Sequence, residues 1–246
     1  MDLDIAPVGD RWELFDELEG LWPEFMTKDP TSSLYYRHYE QLWPEFVLLA
    51  VDRSTGQPVA KAHSVPISFD GTIADGLPEA GWDWVVRTAI HDRLTGAKPS
   101  IVSALEIAIR RDVRGSGLSS RMLAAMRDNA ARLGFTDLVA PVRPSAKTAQ
   151  ITKPIDAYAY EVRPSDDLPV DPWIRVHVRA GGRIVNVAHQ SMVITGTLDQ
   201  WRSWTGLPFT DAGPVEVPGA LVPVHCEPAQ NQAVYVEPNV WIHHRI

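Results

Sequence analysis

The stretch LEIAIRRDVRGSGLSS, Leu105 to Ser120, decides the fold. An apolar run ends at Ile109, an Arg-Gly-Ser-Gly turn spans Arg114 to Gly117, and an amphipathic segment follows at once. A strand that feeds a glycine turn capping a helix makes an anion cradle. Small residues let the backbone come close, and the free N–H groups of the first helical turn point at the ligand. Leu118, Met122, Ala125, Met126 and Leu133 recur at three- and four-residue spacing, which predicts a helix with one buried stripe. Arg121, Arg127, Asp128 and Arg132 fall elsewhere on its surface. Gly134 suits a left-handed C-terminal stop, and FTDLVAPV (135–142) reads as the next strand. Residues 101–133 therefore predict a binding place for a phosphorylated ligand.

The cradle is not a P-loop, because no Lys follows the glycines. It is a poor dinucleotide fingerprint, because Ser120 stands at the third glycine position. Arg114-Gly115-Ser116-Gly117-Leu118-Ser119 instead resembles the pyrophosphate loop of the GNAT superfamily of acyl-CoA N-acyltransferases, [RQ]-x-x-G-x-[GA], commonly R-G-x-G-x-G or R-G-x-G-x-A. Ser119 replaces the last small residue, and Arg111 stands where Pro often precedes the loop. The resemblance is specific over 100–190 and compatible elsewhere. It implies an α/β fold with a mixed, mostly antiparallel central sheet flanked by helices, over 1–246 as one domain with inserts at 70–99 and 143–170.

The same resemblance implies acetyl-CoA or another acyl-CoA as co-substrate, without a metal. The cofactor would lie in a splay between two neighbouring strands. Its pantetheine amides would pair along Ile107, Ala108 and Ile109, its pyrophosphate would rest on Arg114 to Ser120, and Ser145 and Lys147 would approach its remainder. An amine would attack the thioester directly, the oxyanion being held by a backbone N–H near Ile107. Glu106 is the expected base, since strand alternation sets it with Ala108 on one face against Ile107 and Ile109 on the other. A carboxylate paired with Arg110 or Arg143 is the plainer reading. His177 stands where the family places an acidic Tyr, four residues before Gly181, and Tyr158 and Tyr160 are the other candidates for protonating the thiolate. A non-catalytic acyl-CoA-binding module is the alternative to a transferase, and the resemblance also allows a homodimer.

A net charge of −8 disfavours nucleic acid and favours a cationic partner, such as a small-molecule or peptide amine. One cysteine, Cys226, excludes a disulfide framework within the chain. His243-His244 and His225 lack metal-site spacing. No apolar run reaches membrane-spanning length, and the first residues lack a leader pattern, so a cytoplasmic protein is expected. Elsewhere, spacing predicts helices over 10–26 and 31–43, a hairpin from 46–51 and 59–69, and a helix in the tail of 70–99. A helix is expected after the Asp171 cap and another over 197–204. RIVNVA, SMVIT and proline-broken runs after 221 read as separate strands. Trp22, Trp43, Trp82, Trp84 and Trp173 read as core, with an acceptor wall as the alternative.

Overall fold

The computed structural model describes residues 1–18 and 22–246. The helical elements are α1 (Trp12–Asp16), α2 (Ser32–Tyr36), α3 (Tyr39–Leu42), α4 (Gly81–Thr95), α5 (Leu118–Arg132), α6 (Ile155–Ala159), α7 (Pro172–Arg179) and α8 (Leu198–Thr205). The strands are β1 (Leu3–Pro7), β2 (Val47–Asp52), β3 (Pro58–Ile67), β4 (Ile101–Ile109), β5 (Asp137–Val142), β6 (Arg183–Gly196), β7 (Gly213–Val215), β8 (Val224–Glu227) and β9 (Gln232–Arg245). They form one sheet in the order β1-β2-β3-β4-β5-β9-β8-β7, with β6 also paired to β9. Every pairing is antiparallel except β4 with β5. This is the mixed, mostly antiparallel sheet expected.

The α5 stripe behaves as its spacing requires. Leu118, Met122 and Met126 are buried in the main core with Val102 and Val139 of the strands beneath. The N-terminal part departs from expectation. Leu3–Pro7 forms an edge strand on β2, which the sequence reading left out. The helix expected over 10–26 stops at Asp16, and Pro23 is extended (φ −57°, ψ 141°), as a residue that cannot continue a helix must allow. That expectation also crosses residues 19–21, which lie outside the described residues. The helix expected over 31–43 is two short pieces, parted at His38 (φ −137°). RIVNVA and SMVIT run together as β6, and the last two runs as β9, each kept continuous by pairing with the other across register shifts.

The proline-rich stretch 143–170 is tied down by Asp171. Its side chain is the N-cap of α7, accepting from the Trp173 and Ile174 amides at 2.8 and 3.0 Å. It also accepts from the Ala146 amide and the Tyr158 hydroxyl. One buried carboxylate thus satisfies a helix end and two points on the loop. Asp171→Ala is expected to cost about 2–4 kcal/mol, a cap plus unsatisfied buried donors, read as a lower denaturant midpoint. A shift under about 0.5 kcal/mol would show that the loop does not depend on this side chain.

Candidate functional site

The parallel pair that carries the cradle is also where the sheet opens. β4 and β5 are in register only at Val102–Leu138 and Ser103–Val139. From Ala104 to Ile109 the β5-facing edge of β4 has no partner strand among the described residues. A β-bulge at Leu105 accompanies the opening, since His63 faces Glu106 while Ser64 faces Ala104. The indole N–H of Trp82 donates to the Leu105 carbonyl at 3.0 Å and fixes the bulge. Beyond it, Glu106 and Ala108 are buried while Leu105, Ile107 and Ile109 are partly exposed, the alternation expected of them.

At the open end β4 passes through a short turn into the glycine loop. Gly115 and Gly117 have φ of 80° and 79°, left-handed values that suit glycine, and a Cβ at either would meet no protein atom within 4 Å. Packing does not demand these glycines, and the space above them is open. Among the described residues the amides of Gly115 to Ser120 meet no acceptor, and the first turn of α5 carries no acidic residue. Arg111 and Arg114 are exposed beside it. Arg114 Nε donates to the Ile109 carbonyl, and the Ser116 hydroxyl donates to the Val113 carbonyl, which ties the loop back to its own entry. Free amides, left-handed glycines and guanidinium groups without carboxylate partners among the described residues fit a diphosphate.

Glu106 lies on the same strand, and its partners come from α2, β3 and the segment before Pro23. Neither Arg110 nor Arg143 reaches it: Arg110 pairs with Asp112 and Arg143 with Glu237. Its Oε1 accepts from the Trp22 indole in a short contact, and its Oε2 accepts from the Tyr36 hydroxyl at 3.0 Å. His63 Nε2 stands 3.6 Å from the same Oε2. The imidazole of His63 is fully buried, with Nδ1 2.7 Å from the Tyr35 hydroxyl and Phe15, Tyr35, Tyr36 and Tyr39 packed about it. Burial, then Lys61, holds His63 well below the usual imidazole range. Burial, then the Glu106 charge, pushes the Tyr35 and Tyr36 hydroxyls well above theirs. Tyr36 stacks on Trp82 at 6.3 Å, so one aromatic wall runs from the carboxylate to the bulge.

The remaining residues singled out from the sequence scatter. His177 is 2% exposed, its Nδ1 2.9 Å from Nε2 of His244, and burial keeps its ring neutral. His244 pairs with Leu138, at the closed end of the splay, so His177 is not brought to Glu106. Tyr158 is buried on Asp171, while Tyr160 is 54% exposed. Ser145 is exposed. Lys147 is fully buried, its ammonium donating to the carbonyls of Gln150, Ile151 and Leu221, so it braces a loop and has no free donor for a phosphate. Trp84 packs on Phe69 and Trp241, and Trp173 on His177, away from the carboxylate. Sequence reasoning passed over His63, Tyr35 and Tyr36. The one hint was a histidine inside the otherwise apolar run VAKAHSVPI (59–67). Among the described residues no group of three His, Cys, Asp or Glu side chains is arranged to hold a metal, and no helix is long and apolar enough to cross a membrane.

The open α/β sheet, splayed at its one parallel pair above a glycine-capped helix, has the architecture of a GNAT-type enzyme. The chain is 33% identical over 261 residues to an arginine N-acetyltransferase of Aspergillus versicolor, a match covering 95% of this chain and 89% of that one. It therefore belongs to the GNAT superfamily of acyl-CoA N-acyltransferases, and is an enzyme of the N-acetyltransferase kind. No family model matches the chain. The fold is shared with the loading GNATL domain of CurA from Lyngbya majuscula (TM-score 0.59, 16% identity, 99% of this chain and 96% of that one). It is shared also with the GphF GNAT-like decarboxylase in complex with isobutyryl-CoA (TM-score 0.51, 14% identity, 100% and 99%).

Beside this site, Asp83 of α4 is buried near Asp29 and bonded to Arg87 at 2.9 Å. Burial, then the Asp29 charge, pushes its carboxyl up to about 7. A carboxyl raised on folding contributes its full stability below its unfolded value of about 4 and loses it as pH rises through about 7. The melting temperature of the native chain should therefore fall more between pH 5 and pH 8 than that of Asp83→Asn. Parallel pH profiles for the two proteins would contradict this assignment.

Proposed function

We propose that the chain transfers an acetyl or other short acyl group from acyl-CoA to the amine of a small cationic acceptor, with Glu106 as the base. The observation that carries this reading is the convergence on β4 of an unpaired strand edge, a cradle of free amides at its exit and a buried carboxylate between aromatic walls. The acidic surplus of the chain and the arginine-acetylating relative both favour a cationic acceptor. The bound acyl-CoA of the GphF structure supports the choice of donor.

In this reading the pyrophosphate rests on the Gly115–Ser120 amides, with Arg114 beside it. The pantetheine lies along Ile107, Ala108 and Ile109, where strand pairing has ceased. The acceptor enters by replacing the Trp22 and Tyr36 donors on Glu106. An ammonium is not a nucleophile, so Glu106 removes a proton directly or through one water. The amine lone pair then attacks the thioester carbon, whose oxygen is held by a backbone N–H near Ile107. The C–S bond breaks as the amide forms, the nitrogen's second proton leaves for the departing thiolate, and CoA departs as the thiol. A thiol ionises near pH 8.5, so its departure asks less of the protein than deprotonating the amine does. Of the acids named from the sequence, Tyr160 has an exposed hydroxyl, whereas His177 and Tyr158 are bonded to His244 and Asp171.

Purified protein given acetyl-CoA and arginine, or a panel of primary amines, should release free CoA thiol. Glu106→Gln should lower kcat at neutral pH by about 10²–10⁴-fold and leave CoA affinity within a fewfold. Unchanged turnover would remove Glu106 from the chemistry. Gly117→Val should abolish CoA binding by calorimetry, because its side chain would fill the open space above the loop and a branched residue resists a φ of 79°. Retained affinity would place the diphosphate elsewhere.

A further inference from the structure

We infer that His63 is a positioning residue for this acyl transfer, donating its Nε2–H to the carboxylate of Glu106 when the acceptor displaces the present donors; this rests on Glu106 being the base. Among the described residues five buried side-chain atoms lack a hydrogen-bond partner, and one of them, His63 Nε2, stands beside Glu106. An unpaired buried donor costs about 1–3 kcal/mol unless something calls on it. The opposite nitrogen is already engaged with the Tyr35 hydroxyl. Tyr35 stays protonated, because burial and the Glu106 charge raise its hydroxyl, so it can donate to Nδ1. With Nδ1 accepting, the imidazole proton sits on Nε2, facing the carboxylate, and the negative charge of Glu106 favours that tautomer.

The ring has little freedom to do otherwise. It is the cross-strand neighbour of Glu106, set there by the Leu105 bulge, and Phe15, Tyr35, Tyr36 and Tyr39 enclose it. Full burial denies it contact with the acceptor, so it acts through Glu106 and not on the amine. While Trp22 and Tyr36 hold the carboxylate, the Nε2 contact is too long for a hydrogen bond. Once they yield to an acceptor, His63 is, among the described residues, the donor left to stop the carboxylate from swinging. Among the described residues the titratable groups facing His63 are Tyr35, Tyr36, Tyr39, Lys61 and Glu106, and those facing Glu106 are Tyr35, Tyr36 and His63. Of these, Glu106 is the acid whose charge the reaction changes.

The test compares His63→Met, which keeps bulk and loses the donor, with His63→Gln, whose amide N–H can replace it. His63→Met should lower kcat about 10- to 100-fold and move the acidic limb of the kcat–pH profile up by about one unit, since a carboxylate that loses a donor holds its proton more tightly. His63→Gln should restore most of both. Neither should change CoA affinity more than a fewfold. With an acceptor whose amine is already neutral at pH 7, such as a hydrazine, His63→Met should lose less than with arginine. Equal losses with both acceptors, or no rescue by Gln, would reduce His63 to a packing residue and overturn the inference. So would a normal pH profile for His63→Met beside a damaged Glu106→Gln. A Glu106→Gln enzyme of full activity would instead remove the base itself, and wild-type protein inert toward every amine would remove the proposed reaction.

Discussion

The structure depends on the divergence of two strands. Parallel β4 and β5 share only two register positions before they part, and everything of chemical interest lies past that point. Had the ladder continued, the backbone groups of Ala104 to Ile109 would have been consumed by β5 and the sheet would be closed. Parting leaves the middle of a nine-stranded sheet with an edge. Such an edge ordinarily invites unwanted pairing. Here it is bounded on one side by α5 and its glycine loop and on the other by the aromatic segment of the N-terminal region. The sheet tolerates the gap because β9 holds its far half together, pairing β5, β6 and β8 at once.

The bulge at Leu105 ties the opening to the carboxylate. One extra residue resets the phase of β4, so that Glu106 turns inward opposite His63. The Trp82 indole that anchors the bulge also stacks on Tyr36, which in turn holds Glu106. Backbone geometry, aromatic packing and carboxylate orientation are therefore one mechanical unit built from β3, β4, α2 and α4.

Where local pattern governs, the sequence was legible. The glycine loop, α5 and its stripe, the β2–β3 hairpin and the Asp171 cap all follow from spacing, glycine conformation and a capping residue, which need no distant partner. Where distant contacts govern, it was not. The Trp and Tyr residues of the first 45 positions have helical spacing, yet they form short pieces packed about the buried ring of His63. Lys147 reads as a free cation for a phosphate, and only the fold reveals that the carbonyl of Leu221, far along the chain, claims it. His177 occupies the right distance from Gly181 but packs on His244, a neighbour no spacing rule discloses. Glu106 stood out because a carboxylate in an apolar strand is conspicuous. Its companions escaped because tyrosine and histidine pass as ordinary core.

The covering of Glu106 by Trp22 and Tyr36 has a thermodynamic consequence. Stripping water from a carboxylate is costly, and in many sites the incoming ligand bears that cost at the moment of encounter. Here the dehydration was completed as the chain folded, and the two side chains that replaced the water are each more than a third exposed at their outer surface. On the proposed function, an arriving ammonium would put its own N–H donors in place of the indole and hydroxyl donors. Under that reading, binding carries no fresh cost of dehydrating Glu106, only that of displacing two side chains.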